Sequence, residues 1–397
     1  MTRLGDVCEK IGSGATPRGG KEAYKETGIP IIRSQNVHDW AFQSSGLAFL
    51  DDEQAKALAN GEVHSNDILL NITGDSVARA CEVPAEHIPA RVNQHVAIIR
   101  AGKEINPTYL LAFLQFKKAE LLNLASSGAT RNALTKKMIE NLDINLPSRK
   151  KQDSVATLLD SIQSKIAINA QLNDYLLELV SSVFAQHFDH IGDTTELRNT
   201  LSISTKSLKP QEHAGEMWEH YSIPAFDEKH QPVFEPAAEI KSNKYQIDSD
   251  CILISKLNPS TKRIWMPYCS SDRAVCSTEF IVYKPYLKKY KSFYYATIDS
   301  PMFTDFLLEH VSGSTGSRQR AQPKDTLKYL VPNPDKEEIE DFCAFADPIY
   351  RHVQMNEQQM AKLEILRDTL LPKLMSGEID VSKVGLMQPA NNHLADR

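Results

Sequence analysis

Residues 160–169 read DSIQSKIAIN, and residues 347–356 read DPIYRHVQMN. Aspartate, isoleucine, a β-branched aliphatic and asparagine return in the same order 187 positions later. The first stretch lies in a run of Val155, Leu159, Ile162, Ile166, Asn169, Asn173, Leu176, Val180 and Val183, whose steps alternate between four and three. That is a heptad seam, the spacing that keeps one stripe of a helix facing a partner. The matching positions of the second stretch are Phe342, Ala346, Ile349, Val353, Asn356, Met360, Leu363, Arg367 and Leu370. Each seam is about 40 Å long at about 1.5 Å per residue. Two helices with one seam pattern are expected to pair with each other, antiparallel. Ile162, Ile166, Asn169 and Leu176 would meet Ile349, Val353, Asn356 and Leu363 along the pairing stripe. A seam asparagine costs stability and fixes register. Pro348 lacks an N–H and predicts a kink near the start of the second helix.

The repeat extends outward from the helices. NDILLNITG (66–74) corresponds to SDCILISKLN (249–258), each a buried strand leaving into a polar loop. HVAIIRA (95–101) corresponds to EFIVYKP (279–285), and TYLLAFLQ (108–115) to SFYYATID (292–299). SSGATRNALTKK (126–137) corresponds to SGSTGSRQRAQPKD (312–325), a small-residue loop with arginine. The expected organisation is α+β: two mixed α/β domains and two long helices that form an antiparallel coiled coil, a pseudo-two-fold internal repeat. The bounds read as a first domain at 1–147, a first helix at 148–192, a second domain at 193–334, a second helix at 335–380 and a flexible tail at 381–397.

Composition fits a chain of this class. Of 397 residues, 41% are hydrophobic and 24% charged, ordinary for a globular protein of more than one domain. No apolar run is long enough to span a bilayer, and MTRLGDVCEK has no signal-peptide core. The six cysteines are scattered without a CxxC pair, which argues against zinc and for a reduced, cytoplasmic setting. The net charge is −6, with the deficit in the last segment, so each globular part is near neutral and can still present one basic face.

Catalytic motifs are missing. GSGATPRGGK (12–21) is not a P-loop: Ala15 stands where the first glycine belongs and Glu22 follows the lysine. DPIY (347–350) faintly resembles an amino-methyltransferase signature but lies inside the heptad seam, and EIK (239–241) is a chance-level nuclease match.

This organisation resembles the DNA-specificity subunits of type I restriction-modification enzymes. The residues that carry the resemblance are LGDVCEKIGSGATPRGG (4–20) with GIPIIRSQNV (28–37), SGATRNALTKKMIENLDINLP (127–147), its echo SGSTGSRQ (312–319), and LLPKLMSGEIDV (370–381). The second copy departs at its start, where TELRNTLSISTKSLKP lacks Gly-x-Thr-Pro. The resemblance implies two target-recognition domains, each reading half of a split site in double-stranded DNA. It also implies a coiled coil that sets the spacing and docks two methyltransferase subunits, with restriction subunits as possible further partners. The chain itself would be non-catalytic and carry no cofactor or metal; S-adenosylmethionine is expected in the methyltransferase. Membranes are not expected partners.

Candidate DNA-contacting residues can be named from side-chain chemistry. Arg and Lys suit guanine edges, and Asn and Gln suit adenine edges, in the major groove. In the first domain these are Thr16, Arg18 and Lys21 in the glycine-rich loop, Arg33, Gln35 and Asn36 after one apolar run, and Gln94 and His95 before another. Arg131, Asn132, Lys136 and Lys137 come after the small-residue loop. The second-domain counterparts are Lys256, Asn258, Lys262 and Arg263, with Arg318, Gln319, Arg320 and Lys324. YKPYLKKYK (283–291) reads equally as a phosphate rail or a strand edge. Two competing functions remain, a coiled-coil interaction scaffold without DNA readout and a self-sufficient enzyme. Split-site binding beside a methyltransferase discriminates the first, and activity of the pure chain the second.

Overall fold

The computed structural model describes residues 2–126, 132–312 and 319–381. Two unbroken helices, Arg149–Phe188 and Lys336–Ser376, carry the heptad seams. The second helix continues through Pro348, which lies on its exposed side. Two compact units form: Met1–Ile166 with Leu363–Arg397, and Ala167–Lys362. Each unit thus takes part of both long helices.

In the first unit the strands are β1 (Thr2–Arg3), β2 (Cys8–Ser13), β3 (Ile29–Ile32), β4 (Ala48–Leu50), β5 (Glu62–Val63), β6 (Ile68–Asn71), β7 (Ala80–Glu82), β8 (Ala90–Val92), β9 (Val96–Ala101) and β10 (Asp143–Ile144). One sheet has the order β2-β9-β6-β7 and a second β4-β3-β8-β5, with β3 and β8 parallel. Strand β6 is buried on both faces, which is why its sequence is a continuous apolar run rather than an alternation. Side chains alternate across a strand. Ile68 and Leu70 therefore face helix Pro107–Phe116 and the long-helix residues Val155, Leu159, Leu371 and Leu374. Leu69 faces the second sheet and packs with Ile32, Val92 and Ile98. Asn106 starts the short helix by accepting the Tyr109 N–H at 3.1 Å, with proline at the first helical position.

The second unit repeats this plan. Its strands are β11 (Thr194–Glu196), β12 (Leu201–Ile203), β13 (Ser207–Leu208), β14 (Met217–Tyr221), β15 (Val233–Pro236), β16 (Lys244–Gln246), β17 (Ile252–Ser255), β18 (Ile264–Trp265), β19 (Ala274–Ser277), β20 (Phe280–Pro285), β21 (Val311–Ser312), β22 (Arg320–Ala321) and β23 (Leu330–Pro332). The order β12-β20-β17-β18 matches the first sheet strand for strand. The order β13-β16-β19-β14-β15 matches the second, with β14 and β19 parallel and β13 added at one edge. Both domains close alike. Strand β1 pairs with β10 and β11 with β23, and the next N–H bonds back across the closure, Leu4 to Leu142 at 2.9 Å and Leu197 to Tyr329 at 2.8 Å.

The helix pairing is antiparallel in both units. In the second, Asn356 donates to the buried Asn173 at 2.8 Å, Asn173 donates to the Val353 carbonyl at 3.3 Å, and Asn169 donates to Gln359 at 2.7 Å. Phe184 and Phe188 pack edge-on against Phe342 beyond them. In the first unit Arg367 donates to Gln163 at 2.9 Å and Lys151 pairs with Asp380 at 3.1 Å. Arg367 holds a seam position yet is buried, because its guanidinium lies 5.2 Å from the centre of the Trp40 ring. Ile162 and Val353 are buried, while Ile166, Leu176, Ile349 and Leu363 are half-buried.

Candidate nucleic-acid interface

In both domains the small-residue loop meets the turn that leaves the central strand of the first sheet. In the first unit, Gly74 N–H bonds to the Asn132 carbonyl at 3.1 Å and Leu134 N–H to the Ile72 carbonyl at 2.8 Å. In the second, Asn258 N–H bonds to the Gln319 carbonyl and Ala321 N–H to the Lys256 carbonyl, both at 2.9 Å. The small-residue loop of each domain is therefore tied to the turn after its central strand by the same two bonds. Gly74 and Asn258, at equivalent steps, both have a left-handed backbone. Asn132 and Lys137 are exposed, and Lys136 is exposed beside Glu140 at 3.5 Å. Gln319 is half-buried and Lys324 exposed. Arg131 and Arg318 lie outside the described residues, as does the side chain of Lys21.

Next to this turn in the first unit is an open cleft of about 590 Å³ walled by Gln35, His38, Thr73, Asp75, Arg79 and His95. A polar chain runs along one side. Thr16 donates to the Gln94 carbonyl oxygen, and the Gln94 amide donates to His95 Nε2 at 3.1 Å. That assignment puts the ring proton on Nδ1, which faces the Thr73 hydroxyl at 2.6 Å. The glycine-rich loop reaches this position because Gly14 has no Cβ: one built there would stand 1.8 Å from the Val92 carbonyl oxygen. Strand β2 runs on into coil and a single 3₁₀ turn, Gly20–Ala23, and Arg18 is exposed on that loop.

Several candidates are committed to the protein itself. Asn36 is fully buried and donates to the Gln43 carbonyl at 2.9 Å, so it holds the loop instead of offering an edge at the surface. Arg33 donates to the Gly46 carbonyl at 2.7 Å and lies 5.5 Å from the Tyr24 ring centre, which gives it a loop-fastening role. Gln35 is exposed, though its amide also reaches Gly46 at 3.1 Å. In the second unit Arg263 forms a two-pronged bridge to Asp227 at 2.5 and 2.9 Å, Lys262 pairs with Asp299 at 2.5 Å, and Arg320 pairs with Glu279 at 3.0 Å. Lys256 and Asn258 are half-buried, and Asn258 keeps a buried Oδ1 without a partner. The lysines of YKPYLKKYK are engaged too: Lys284 with Asp248, Lys288 with Asp250, Lys289 with Glu340 and Lys291 with the Ser249 carbonyl. That stretch is a charge-paired strand edge and turn.

Among the described residues, no group of three histidine, cysteine or acidic side chains is poised to hold a metal, and no helix is long and apolar enough to cross a membrane. A mixed α/β domain that occurs twice, each copy packed with its own antiparallel stretch of the two long helices, defines a class of proteins that present two similar loop clusters on one chain. Residues 1–178 match the family model for the type I restriction modification DNA specificity domain, and the recognition drawn from the sequence is borne out. The chain is 22% identical over 421 aligned residues, 97% of this chain and 94% of its relative, to the type I restriction enzyme MjaIX specificity subunit of Methanocaldococcus jannaschii. The crystal structure of the type I restriction-modification system S subunit from M. genitalium superposes with a TM-score of 0.54 at 14% identity, covering 94% of each chain, and shares the fold.

Proposed function

We propose that this chain is the specificity subunit of a type I restriction-modification system. It reads a two-part site in double-stranded DNA, one part per recognition domain, and performs no catalysis itself. The observation that carries the reading is the duplicated loop-to-turn tie, Gly74 to Asn132 and Asn258 to Gln319, because it builds two comparable recognition surfaces from one chain. The side chains at these surfaces differ between the copies, so the two half-sites are expected to differ.

The modified base of a duplex must be flipped out of the stack to be methylated, so a separate catalytic subunit has to sit beside each reader. Two methyltransferase subunits, each binding S-adenosylmethionine, are the expected partners, with restriction subunits joining them in the cytoplasm. The first long helix offers a docking stripe. Ile168, Leu172, Tyr175 and Leu179 are exposed at steps of four, three and four, one residue ahead of the buried seam. A second heptad stripe left open on a paired helix suits a further helix packing against it.

The test is a domain swap read by methylome sequencing. Replacing residues 1–147 with the first domain of another specificity subunit should change one half-site and leave the other. A change in both half-sites would refute the one-domain, one-half-site reading.

A further inference from the structure

The two recognition domains carry the same arginine in two different states. In the first, Asn71 at the end of the central strand donates its N–H to the Arg79 carbonyl at 2.9 Å. In the second, Ser255 at the end of the equivalent strand donates to the Arg263 carbonyl, also at 2.9 Å. Each arginine stands eight residues past its strand. Arg79 and Arg263 therefore occupy one position of the repeat.

Their surroundings differ because the parallel strand of the second sheet leads into a different element in each domain. In the first domain β3 runs into a short 3₁₀ turn, Ser34–Asn36, and Arg79 faces the open cleft of about 590 Å³. No described residue makes an ion pair or hydrogen bond with its guanidinium. In the second domain the equivalent strand, β14, runs into a helix, Ile223–Lys229, and that helix brings Asp227 against Arg263 in a two-pronged bridge at 2.5 and 2.9 Å. The carboxylate occupies the fork that would otherwise take the O6 and N7 of a guanine.

We propose that Arg79 reads a guanine edge in the half-site of the first domain. Asp227 holds the counterpart Arg263 away from DNA, so the second domain does not read through this position. The proposal rests on the function argued above. A guanine edge suits the first-domain cleft better than a phosphate. The walls carry Gln35, His38 and Asp75, a mixture of donors and acceptors, whereas a phosphate seat gathers donors and is repelled by a carboxylate.

The test sequences the methylome of the host strain carrying Arg79→Ala, Arg79→Lys or Asp227→Ala in the full-length chain. Arg79→Ala should relax one guanine column of one half-site, with discrimination there falling about 5- to 150-fold, and leave the other half-site intact. Arg79→Lys should relax the same column, because an ammonium is a point charge and cannot reproduce the planar fork; it also covers the case in which alanine disturbs the loop. Asp227→Ala should alter the other half-site by adding a guanine preference. An unchanged motif for both Arg79 variants would overturn the proposal. So would a uniform loss of methylation at an unchanged motif, which marks a phosphate contact. An unchanged second half-site in Asp227→Ala would overturn the masking role. Absence of any chain-dependent two-part motif in the unmutated strain would instead remove the specificity reading itself, and this proposal with it.

Discussion

The Asn173–Asn356 contact should show an energetic asymmetry rooted in its geometry. Both side chains are buried between the long helices. Asn356 donates to the Asn173 side-chain oxygen at 2.8 Å, and Asn173 donates to the Val353 carbonyl at 3.3 Å. Asn356→Ala strips one acceptor bond from Asn173 but leaves its amide anchored on Val353. Asn173→Ala takes away the acceptor of the Asn356 amide and the donor to Val353 together. A stranded buried polar group costs about 1–3 kcal/mol. Asn173→Ala should therefore fall at the upper end of that range and Asn356→Ala at the lower. The double alanine variant should cost less than the two added, by about 0.5–1.5 kcal/mol, the net worth of one hydrogen bond. Replacing both by leucine should match or exceed the parent in stability while weakening register, since a seam asparagine trades stability for register. A chain of two units need not unfold in one step, so the assay is native-state hydrogen exchange of the amides at 167–180 and 350–362. Strict additivity of the single substitutions, or a larger cost for Asn356→Ala than for Asn173→Ala, would refute the reasoning.

Two more perturbations test the helix stripe and the second sheet. Leu172→Glu with Tyr175→Glu should abolish co-purification with the methyltransferase while shifting the melting of the isolated chain little, within about 0.5 kcal/mol for exposed sites; assembly that survives would exclude the stripe as the docking face. His220 is half-buried beside Glu235, its Nε2 buried without a partner, and desolvation pushes its pKa below the ordinary histidine value; Glu235 works against this and Lys244 with it. The folded state thus takes up the His220 proton less readily than the unfolded chain, where a histidine titrates near pH 6.5, so stability should fall as pH drops through about 6.5. His220→Asn should flatten that dependence in melts between pH 7.5 and 5.5, and an unchanged slope would count against it.

The repeat was legible in the sequence because periodicity survives divergence. A heptad seam needs only apolar residues at fixed steps, and the buried strands ILLN and ILIS must be apolar on both faces whatever their exact residues. The loops obey no such rule. Arg33 and Asn36 have the side chains of base readers, yet a loop sequence does not say which residues turn inward, and these two fasten the segment around residues 43–46. The lysines of the 283–291 stretch resemble a phosphate rail because their partners, Asp248, Asp250 and Glu340, are distant in sequence. Arg79 is hidden for a related reason. NITGDSVAR and SKLNPSTKR share little beyond the final arginine. Counting eight residues from each strand end finds it, but only once the strand ends are known.

The seam asparagines show where periodic reading stops. A tandem repeat relates positions by a constant difference, and that relation matches Asn169 with Asn356. Antiparallel packing relates positions by opposite directions, so residue numbers rise on one helix as they fall on the other. Equivalent residues face each other only near one crossing level. Away from it each meets a residue progressively farther from its counterpart, and so Asn356 bonds to Asn173 while Asn169 bonds to Gln359. The repeat explains why both helices carry a buried asparagine. The direction of packing decides which side chain each one meets, and it leaves Asn169 with a buried oxygen that has no partner. Register in the second unit is accordingly expected to depend on Asn173 and Asn356 as a pair, with Asn169 contributing less than its place in the repeat suggests.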